Sequence, residues 1–211
     1  MILNPGSKIY FESKPECACT VCFIDEDNNI ATSCCHCASY VGENVFVKQS
    51  DQRKEYIGSV VSLEKDIDLA VIRLREDTRP EKEILLAPIT EVYEKAKKIF
   101  VGNSWMMTNW KYAQLEELNS RYYTFSTGIE CSLYGITPDK KFLIMHSDIT
   151  LSKGFSGSPV VVRTDKNDYI VGMVSARLKN NRFCFVATNI EKIVEVIEND
   201  MGRKIQTKNF R

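Results

Sequence analysis

The fold prediction depends on one loop of seven residues, Gly154-Phe155-Ser156-Gly157-Ser158-Pro159-Val160. A serine between glycines on a tight turn can point its hydroxyl outward, and the amides of Gly154 and Ser156 can then converge on a developing oxyanion. Residue 158 is Ser, so the second glycine of a G-x-S-x-G elbow is missing, which argues against an α/β-hydrolase. Taken alone, the loop is equally compatible with an ordinary Gly/Ser turn between two strands.

The composition is that of a globular protein without an obvious nucleic-acid or membrane partner. The chain has 211 residues, 44% of them hydrophobic, and its formal net charge is zero. This length suits one large domain or two small lobes with a real core. The neutral charge argues against nucleic acid, and no apolar run approaches the roughly 18 residues of a membrane span. The N-terminus lacks the basic start and apolar core of a signal peptide, so we expect a cytoplasmic location.

Most of the chain is predicted to form short strands, because segments rich in Val, Ile, Phe and Tyr alternate with turn residues. This pattern indicates an all-β sandwich or barrels. A C-terminal helix is predicted over 189–200, capped by Thr188 or Asn189 and followed by Gly202, and a weaker helix over 110–118. The predicted strands are 19–24, 30–33, 44–47, 56–63, 69–74, 98–101, 122–129, 142–145, 159–162, 169–175 and 183–187.

A serine nucleophile needs a base, because its own hydroxyl is barely ionised at neutral pH. The chain has only two histidines. His36 follows a predicted strand and is the candidate base. His146 lies in an apolar run and is expected in the core, with a place in the pocket wall, recognising Glu, as the alternative. Two carboxylates can orient the imidazole: Asp68, at the start of an apolar strand, and Asp66, two residues earlier.

Four segments follow one another in the order His, Asp, Ser and a further strand: Ser33-Cys-Cys-His-Cys37, Asp68-Leu-Ala-Val-Ile-Arg-Leu74, Gly154-Phe-Ser-Gly-Ser-Pro159 and Gly172-Met-Val-Ser-Ala-Arg177. They resemble the segments T-A-A-H-C, D-I-A-L-L-K-L, G-D-S-G-G-P and G-I-V-S-W-G of the chymotrypsin/trypsin-like serine protease superfamily (PA clan), which has the same order. The match of the second segment favours Asp68 over Asp66. The likeness is closest to HtrA/Deg-like and glutamyl-endopeptidase-like members, which share an aspartate eight residues before the serine, here Asp148.

The resemblance implies one trypsin-like peptidase domain over 1–211, with two six-stranded antiparallel β-barrels and a C-terminal α-helix. The N-terminal barrel is expected at about 1–85, a linker at about 75–95, the C-terminal barrel at about 95–187 and the helix at about 189–200. The implied function is that of a serine endopeptidase acting on a protein or peptide substrate, without a metal or organic cofactor. The alternative is a catalytically silent member of the same fold that acts as a protein-binding module.

The family pattern also implies a role for each site residue. His36, Asp68 and Ser156 are the expected catalytic triad, and the amides of Gly154 and Ser156 the expected oxyanion hole. The expected substrate pocket consists of Thr150, Ser152, Ser175, Ala176 and Arg177.

Two departures from the family pattern carry information. Residue 155 is Phe, where digestive-type members have the aspartate that pairs with a freed N-terminus, so activation by that route is not expected. Arg177 replaces a glycine at the pocket edge, where it can narrow the cleft or recruit an acidic side chain. Thr150 and Ser152 are uncharged, so a trypsin-like preference for Lys or Arg is not supported.

The cysteines admit two roles. Cys19-x-x-Cys22 and Cys34-x-x-Cys37 match the spacing of a four-thiolate zinc site. The first pair lies in a β-branched, aromatic segment, however, and residues three apart on a strand point to opposite faces, so zinc is not expected. The resemblance implies instead a disulfide between Cys19 and Cys37. The other thiols are expected to be free and mostly buried.

Overall fold

The chain folds into two antiparallel β-sheets and a C-terminal helix. A computed structural model describes residues 1–48, 53–102, 121–125, 128–202 and 204–205. The prediction of an all-β, chymotrypsin-like double barrel with a terminal helix is confirmed. Within the described residues each sheet has seven strands, where six were expected.

The first sheet is formed by the N-terminal part of the chain. Its strands are β1 (Lys8–Phe11), β2 (Ala18–Thr20), β3 (Ile24–Asp25), β4 (Ile30–Cys34), β5 (Asn44–Lys48), β6 (Lys54–Glu64) and β7 (Leu69–Leu74). Their order in the sheet is β2-β1-β5-β6-β7-β4-β3, and every pairing is antiparallel. Consecutive strands β5, β6 and β7 form a meander. Strand β7 also pairs with β4, which precedes the meander in the chain.

The second sheet follows a short connecting segment that contains helix α1 (Ile89–Val92). Its strands are β8 (Lys98–Gly102), β9 (Gly128–Glu130), β10 (Ser132–Ile136), β11 (Phe142–His146), β12 (Pro159–Arg163), β13 (Asp168–Leu178) and β14 (Asn181–Asn189). Their order is β10-β11-β14-β13-β12-β8-β9.

The C-terminal helix α2 spans Ile190–Met201, one residue from the predicted bounds at each end. The side chain of Asn189 accepts a hydrogen bond from Glu191 N, so Asn189 is the N-cap of the two predicted alternatives, Thr188 and Asn189. Gly202 ends the helix in the left-handed conformation that favours glycine. The buried face of α2 consists of Ile190, Ile193, Val194 and Ile197.

Several local predictions were wrong. The predicted strand 19–24 is split, because Val21 and Cys22 donate to Ser7 O and Thr32 O between β2 and β3. Strands β1 and β10 were not predicted; in β10 a register shift at Gly135 interrupts the alternation of apolar residues. Of the described residues in the predicted strand 122–129, only Gly128 and Ile129 lie in a strand, β9. The predicted helix 110–118 lies outside the described residues.

Each sheet buries an apolar core, and the two cores meet where the sheets face each other. Ile170 and Met173 of β13 belong to the cluster of the first sheet. The core of the second sheet includes Leu151, Phe155 and Val160. The turn before β12 also contacts β2, an edge strand of the first sheet, through the hydrogen bond from Thr20 N to Ser156 O. Among the described helices, none has the length and apolar character that crossing a membrane requires.

Candidate active site

Strand register brings His36 and Asp68 together at one end of the first sheet. Cys34, the last residue of β4, pairs with Leu69, the first residue of β7. His36 lies in the 3₁₀ turn after β4, and Asp68 directly precedes β7. The amide of Cys35 joins the two turns by donating to Asp68 O at 3.0 Å. The pairing of two apolar strands therefore positions the candidate base beside its carboxylate.

Asp68 contacts His36 with both carboxylate oxygens. Its Oδ1 accepts from His36 N at 2.9 Å, and its Oδ2 lies 2.8 Å from His36 Nδ1. Ser175 Oγ donates to the same Oδ2 at 2.5 Å. Partial burial acts to raise the pKa of Asp68, but the hydrogen bonds from His36 and Ser175 outweigh it, so the pKa lies below its ordinary value. Asp66, the alternative carboxylate, is exposed on the preceding turn.

The ionised carboxylate determines the tautomer of His36. Because an ionised aspartate only accepts hydrogen bonds, Nδ1 of the imidazole must carry the hydrogen. Nε2 of the neutral ring is then an acceptor, and it lies 2.9 Å from Ser156 Oγ. A hydroxyl that donates to an imidazole in this way can transfer its proton to the ring during nucleophilic attack.

Ser156 projects from a turn that requires glycine at the next position. Gly157 has a φ of 88°, in the left-handed region. A Cβ there would overlap Thr20 O and lie 2.6 Å from Ser33 Oγ. Gly157 N also donates to Val174 O at 2.8 Å. The serine is thereby held between β2 of the first sheet and β13 of the second.

Phe155 anchors the same turn from the opposite side. Its side chain is 1% exposed and packs in the core of the second sheet with Leu151 and Val160. Burial of the Phe155 side chain therefore holds this loop in place. Digestive-type members of the chymotrypsin/trypsin-like superfamily have an aspartate at this position.

The backbone around Ser156 leaves two amides available to a ligand. Within the described residues, neither Gly154 N nor Ser156 N donates to a protein acceptor. The carbonyl oxygens of these residues are engaged by Thr20: Ser156 O accepts from Thr20 N at 2.9 Å, and Gly154 O from Thr20 Oγ1 at 2.8 Å. Two free amides beside a serine hydroxyl are an arrangement that can stabilise an oxyanion.

A disulfide joins Cys19, next to Thr20 on β2, to Cys37, next to His36. This bond takes up two of the four sulfurs that the zinc alternative requires. The other two donate to backbone oxygens across the sheet interface, Cys22 Sγ to Gly172 O and Cys34 Sγ to Val174 O. Among the free cysteines Cys17 is exposed, and the others are Cys22, Cys34, Cys35, Cys131 and Cys184, all buried.

One group of side chains in the described part of the chain has the spacing to hold a metal ion. The candidate ligand atoms of Cys34, His36 and Asp68 lie within 4.8 Å of one another. Burial raises the pKa of the Cys34 thiol well above its ordinary value, which disfavours the thiolate that a metal would need. His36 and Asp68 bond to each other, so this group coincides with the candidate triad.

A cleft of about 530 Å³ opens beside Ser156. Of the predicted pocket residues, Ser152, Ser175, Ala176 and Arg177 line the cleft, and Thr150 is not among the lining residues. His146 lies on β11 away from the cleft, half-buried rather than in the core, with its ring 6.4 Å from that of Phe183.

Sequence reasoning missed three contributors to this region. Lys65 and Leu151 line the cleft, and Thr20 holds the Ser156 turn. One feature of the sequence indicated that Lys65 lies in the cleft, namely its position three residues before Asp68. Lys153, in the loop just before Gly154, lines the cleft as well.

Comparison with protein families matches residues 19–173 to the trypsin-like peptidase domain. This region includes the candidate triad and most strands of both sheets, but not β1, β14 or the end of β13. A search of curated proteins found no match.

Solved structures of proteases share the fold. The active form of the Rv3671c protease from M. tuberculosis is 14% identical with a TM-score of 0.56, over 99% of this chain and 91% of that one. The serine endoprotease from Yersinia pestis is 14% identical with a TM-score of 0.59, over 93% and 63%. The HtrA-type protease AlgW with a tripeptide is 11% identical with a TM-score of 0.58, over 94% and 62%.

Proposed function

Because this chain belongs to the trypsin-like peptidase domain family, we propose that it is a serine endopeptidase that works through His36, Asp68 and Ser156. One observation carries the proposal. The two nitrogens of His36 lie 2.8 Å from Asp68 Oδ2 and 2.9 Å from Ser156 Oγ, which aligns the nucleophile, the base and the carboxylate.

In the proposed reaction, Ser156 Oγ attacks the scissile carbonyl while His36 Nε2 accepts its proton. The amides of Gly154 and Ser156 stabilise the oxyanion of the tetrahedral intermediate. His36 then donates the proton to the leaving amine, and an acyl-enzyme remains on Ser156. Water, activated by the same imidazole, hydrolyses this ester. Asp68 remains ionised and stabilises the imidazolium in both steps.

A fluorophosphonate probe tests the nucleophile, because it reacts with activated serines without needing a particular peptide sequence. We expect the wild type to be labelled and Ser156→Ala to be unlabelled. His36→Ala should react at least about a thousandfold more slowly, because the base is lost.

Ser158→Ala is the matched control for this experiment. Ser158 lies two residues further along the loop, and its buried hydroxyl has no hydrogen-bond partner among the described residues. This variant should label like the wild type. Equal labelling of wild type and Ser156→Ala would contradict the assignment, and an unlabelled, folded wild type that cleaves no peptide would favour the protein-binding module.

A further inference from the structure

We propose that Lys65, Lys153 and Arg177 form a cationic rim on the cleft and select peptides with acidic side chains close to the scissile bond. This inference rests on the proposed peptidase function and specifies its substrate class. The three side chains line the same cleft as His36 and Ser156.

The cationic rim is assembled from three separate parts of the chain. Lys65 comes from the turn before β7, Lys153 from the loop immediately before Gly154, and Arg177 from β13, two residues after Ser175. All three residues are exposed, so their charges are accessible to a ligand in the cleft. The fold thus gathers around the nucleophile three cations that are far apart in sequence.

No carboxylate of the described chain neutralises the rim. Among the residues that the structure describes, Asp68 is the only acidic one lining the cleft, and its oxygens are already bonded to His36 and Ser175. None of the three rim residues forms an ion pair in the described ranges. Because the whole chain has a formal net charge of zero, this excess of positive charge is local to the cleft.

Acidic residues do occur near Lys65 in the sequence. Glu64 and Asp66 flank it, and Asp148 precedes the Ser156 loop, but none of these carboxylates lines the cleft. These carboxylates reduce the positive electrostatic potential outside the cleft. They do not occupy the position inside it where a substrate side chain would bind.

The apolar walls of the cleft strengthen the attraction between the cationic rim and an acidic substrate side chain. Leu151, Phe155, Val174 and Ala176 supply apolar surface, which lowers the local dielectric and reduces screening by water. The guanidinium of Arg177 can bind a carboxylate through two parallel hydrogen bonds, and the two ammonium groups add charge without fixing its orientation. A Glu or Asp side chain gains all of these interactions, a Gln or Asn only part of them, and a Lys is repelled.

The test compares fluorogenic peptides that are identical except for Glu, Gln or Lys at one position within three residues of the scissile bond, scanned one position at a time. We expect kcat/KM for at least one Glu peptide to exceed that of its Gln counterpart by about tenfold, and that of its Lys counterpart by more. Raising the salt concentration from about 50 to 500 mM should reduce this preference, because the Debye length shortens.

Variants assign the preference to the rim. In Lys65→Gln/Lys153→Gln/Arg177→Gln the Glu-over-Gln ratio should fall to within about twofold of unity, and Arg177→Glu should favour the Lys peptide. Lys179→Gln removes an exposed charge from the neighbouring turn, outside the cleft lining, and should leave the ratio unchanged.

The outcome separates this inference from the proposed function. Fluorophosphonate labelling of Ser156 with equal cleavage of Glu and Gln peptides at every position would overturn the rim while leaving the peptidase intact. A preference that survives in the triple variant would overturn it too. If no peptide is cleaved, fluorescence anisotropy with Ser156→Ala and labelled Glu or Gln peptides decides: tighter binding of Glu peptides supports the rim, and equal binding contradicts it.

Discussion

At the scale of single residues, Thr20 has a role that the triad alone does not explain. Its side chain is fully buried. Thr20 bonds to the carbonyl oxygens of Gly154 and Ser156, and its own carbonyl accepts from Ser33 Oγ at 2.8 Å. The residue therefore orients the two peptide planes that flank the proposed oxyanion donors, and we consider it a positioning residue.

We predict that Thr20→Val lowers kcat by about tenfold or more and changes KM little. Valine keeps the volume of threonine but removes the hydroxyl donor to Gly154 O, and a misplaced oxyanion donor weakens binding of the transition state more than binding of the substrate. Steady-state kinetics on a cleaved peptide measures both constants.

Thr20→Ser keeps the hydroxyl and should restore most of kcat. Equal kcat values for Thr20→Val and Thr20→Ser would contradict the positioning role. A loss of activity that merely follows loss of folded protein would also contradict it, and circular dichroism of the same samples separates that case.

At the scale of structural elements, a buried carboxylate supports the turn that carries His36. Glu43 is 0% exposed, and its side chain accepts hydrogen bonds from Ser13 N at 2.8 Å and Ser39 N at 2.6 Å. Lys14, next to Ser13, donates from Nζ to His36 O at 2.9 Å. The segment between β1 and β2 is thereby tied to the His36 turn and to the chain that follows it.

This network makes stability depend on pH. Burial acts to raise the pKa of Glu43, but the hydrogen bonds from Ser13, Ser39 and Tyr40 outweigh it and hold the pKa below its ordinary value. Because the pKa is lower in the folded state, the stabilisation is complete above the unfolded pKa of about 4.3. It is lost as the pH falls through the folded pKa.

We predict that Glu43→Gln lowers the free energy of unfolding by about 1–3 kcal/mol at pH 7, because a buried, charge-assisted acceptor is replaced. The difference from wild type should stay constant down to about pH 5 and shrink below about pH 4. Urea unfolding between pH 3 and 7 measures it. Glu26→Gln, on an exposed turn, should change little, and a Glu43→Gln effect that is the same at every pH would contradict the account.

At the scale of the whole molecule, the site exists only because two sheets pack together. The first sheet supplies His36 and Asp68, and the second supplies Ser156 and Ser175. Buried side chains also cross the interface to backbone oxygens: Thr188 Oγ1 donates to Ile67 O at 2.7 Å, and Cys34 Sγ to Val174 O at 3.0 Å. The residue before Asp68 is thus held from the second sheet.

The sequence predicted the parts of this assembly that local chemistry dictates. The order of the His36, Asp68 and Ser156 segments, the helix cap at Asn189 and the all-β class follow from motif, capping and alternation. The cationic rim and the contacts of Thr20 did not follow, because they depend on which strands become neighbours across the sheets. Strand β1, Lys8–Phe11, was also missed; it is placed by its pairing with β2 and β5.

The most direct test of the central claim is to trap the acyl-enzyme. Wild-type protein mixed with an activated ester of a short acidic peptide is quenched in acid, digested and mapped by mass spectrometry. The account predicts an acyl group on Ser156 in the wild type, no adduct in Ser156→Ala, and slower acylation in His36→Ala. Turnover of the ester that persists in Ser156→Ala, or a folded wild type that never becomes acylated at Ser156, would contradict it.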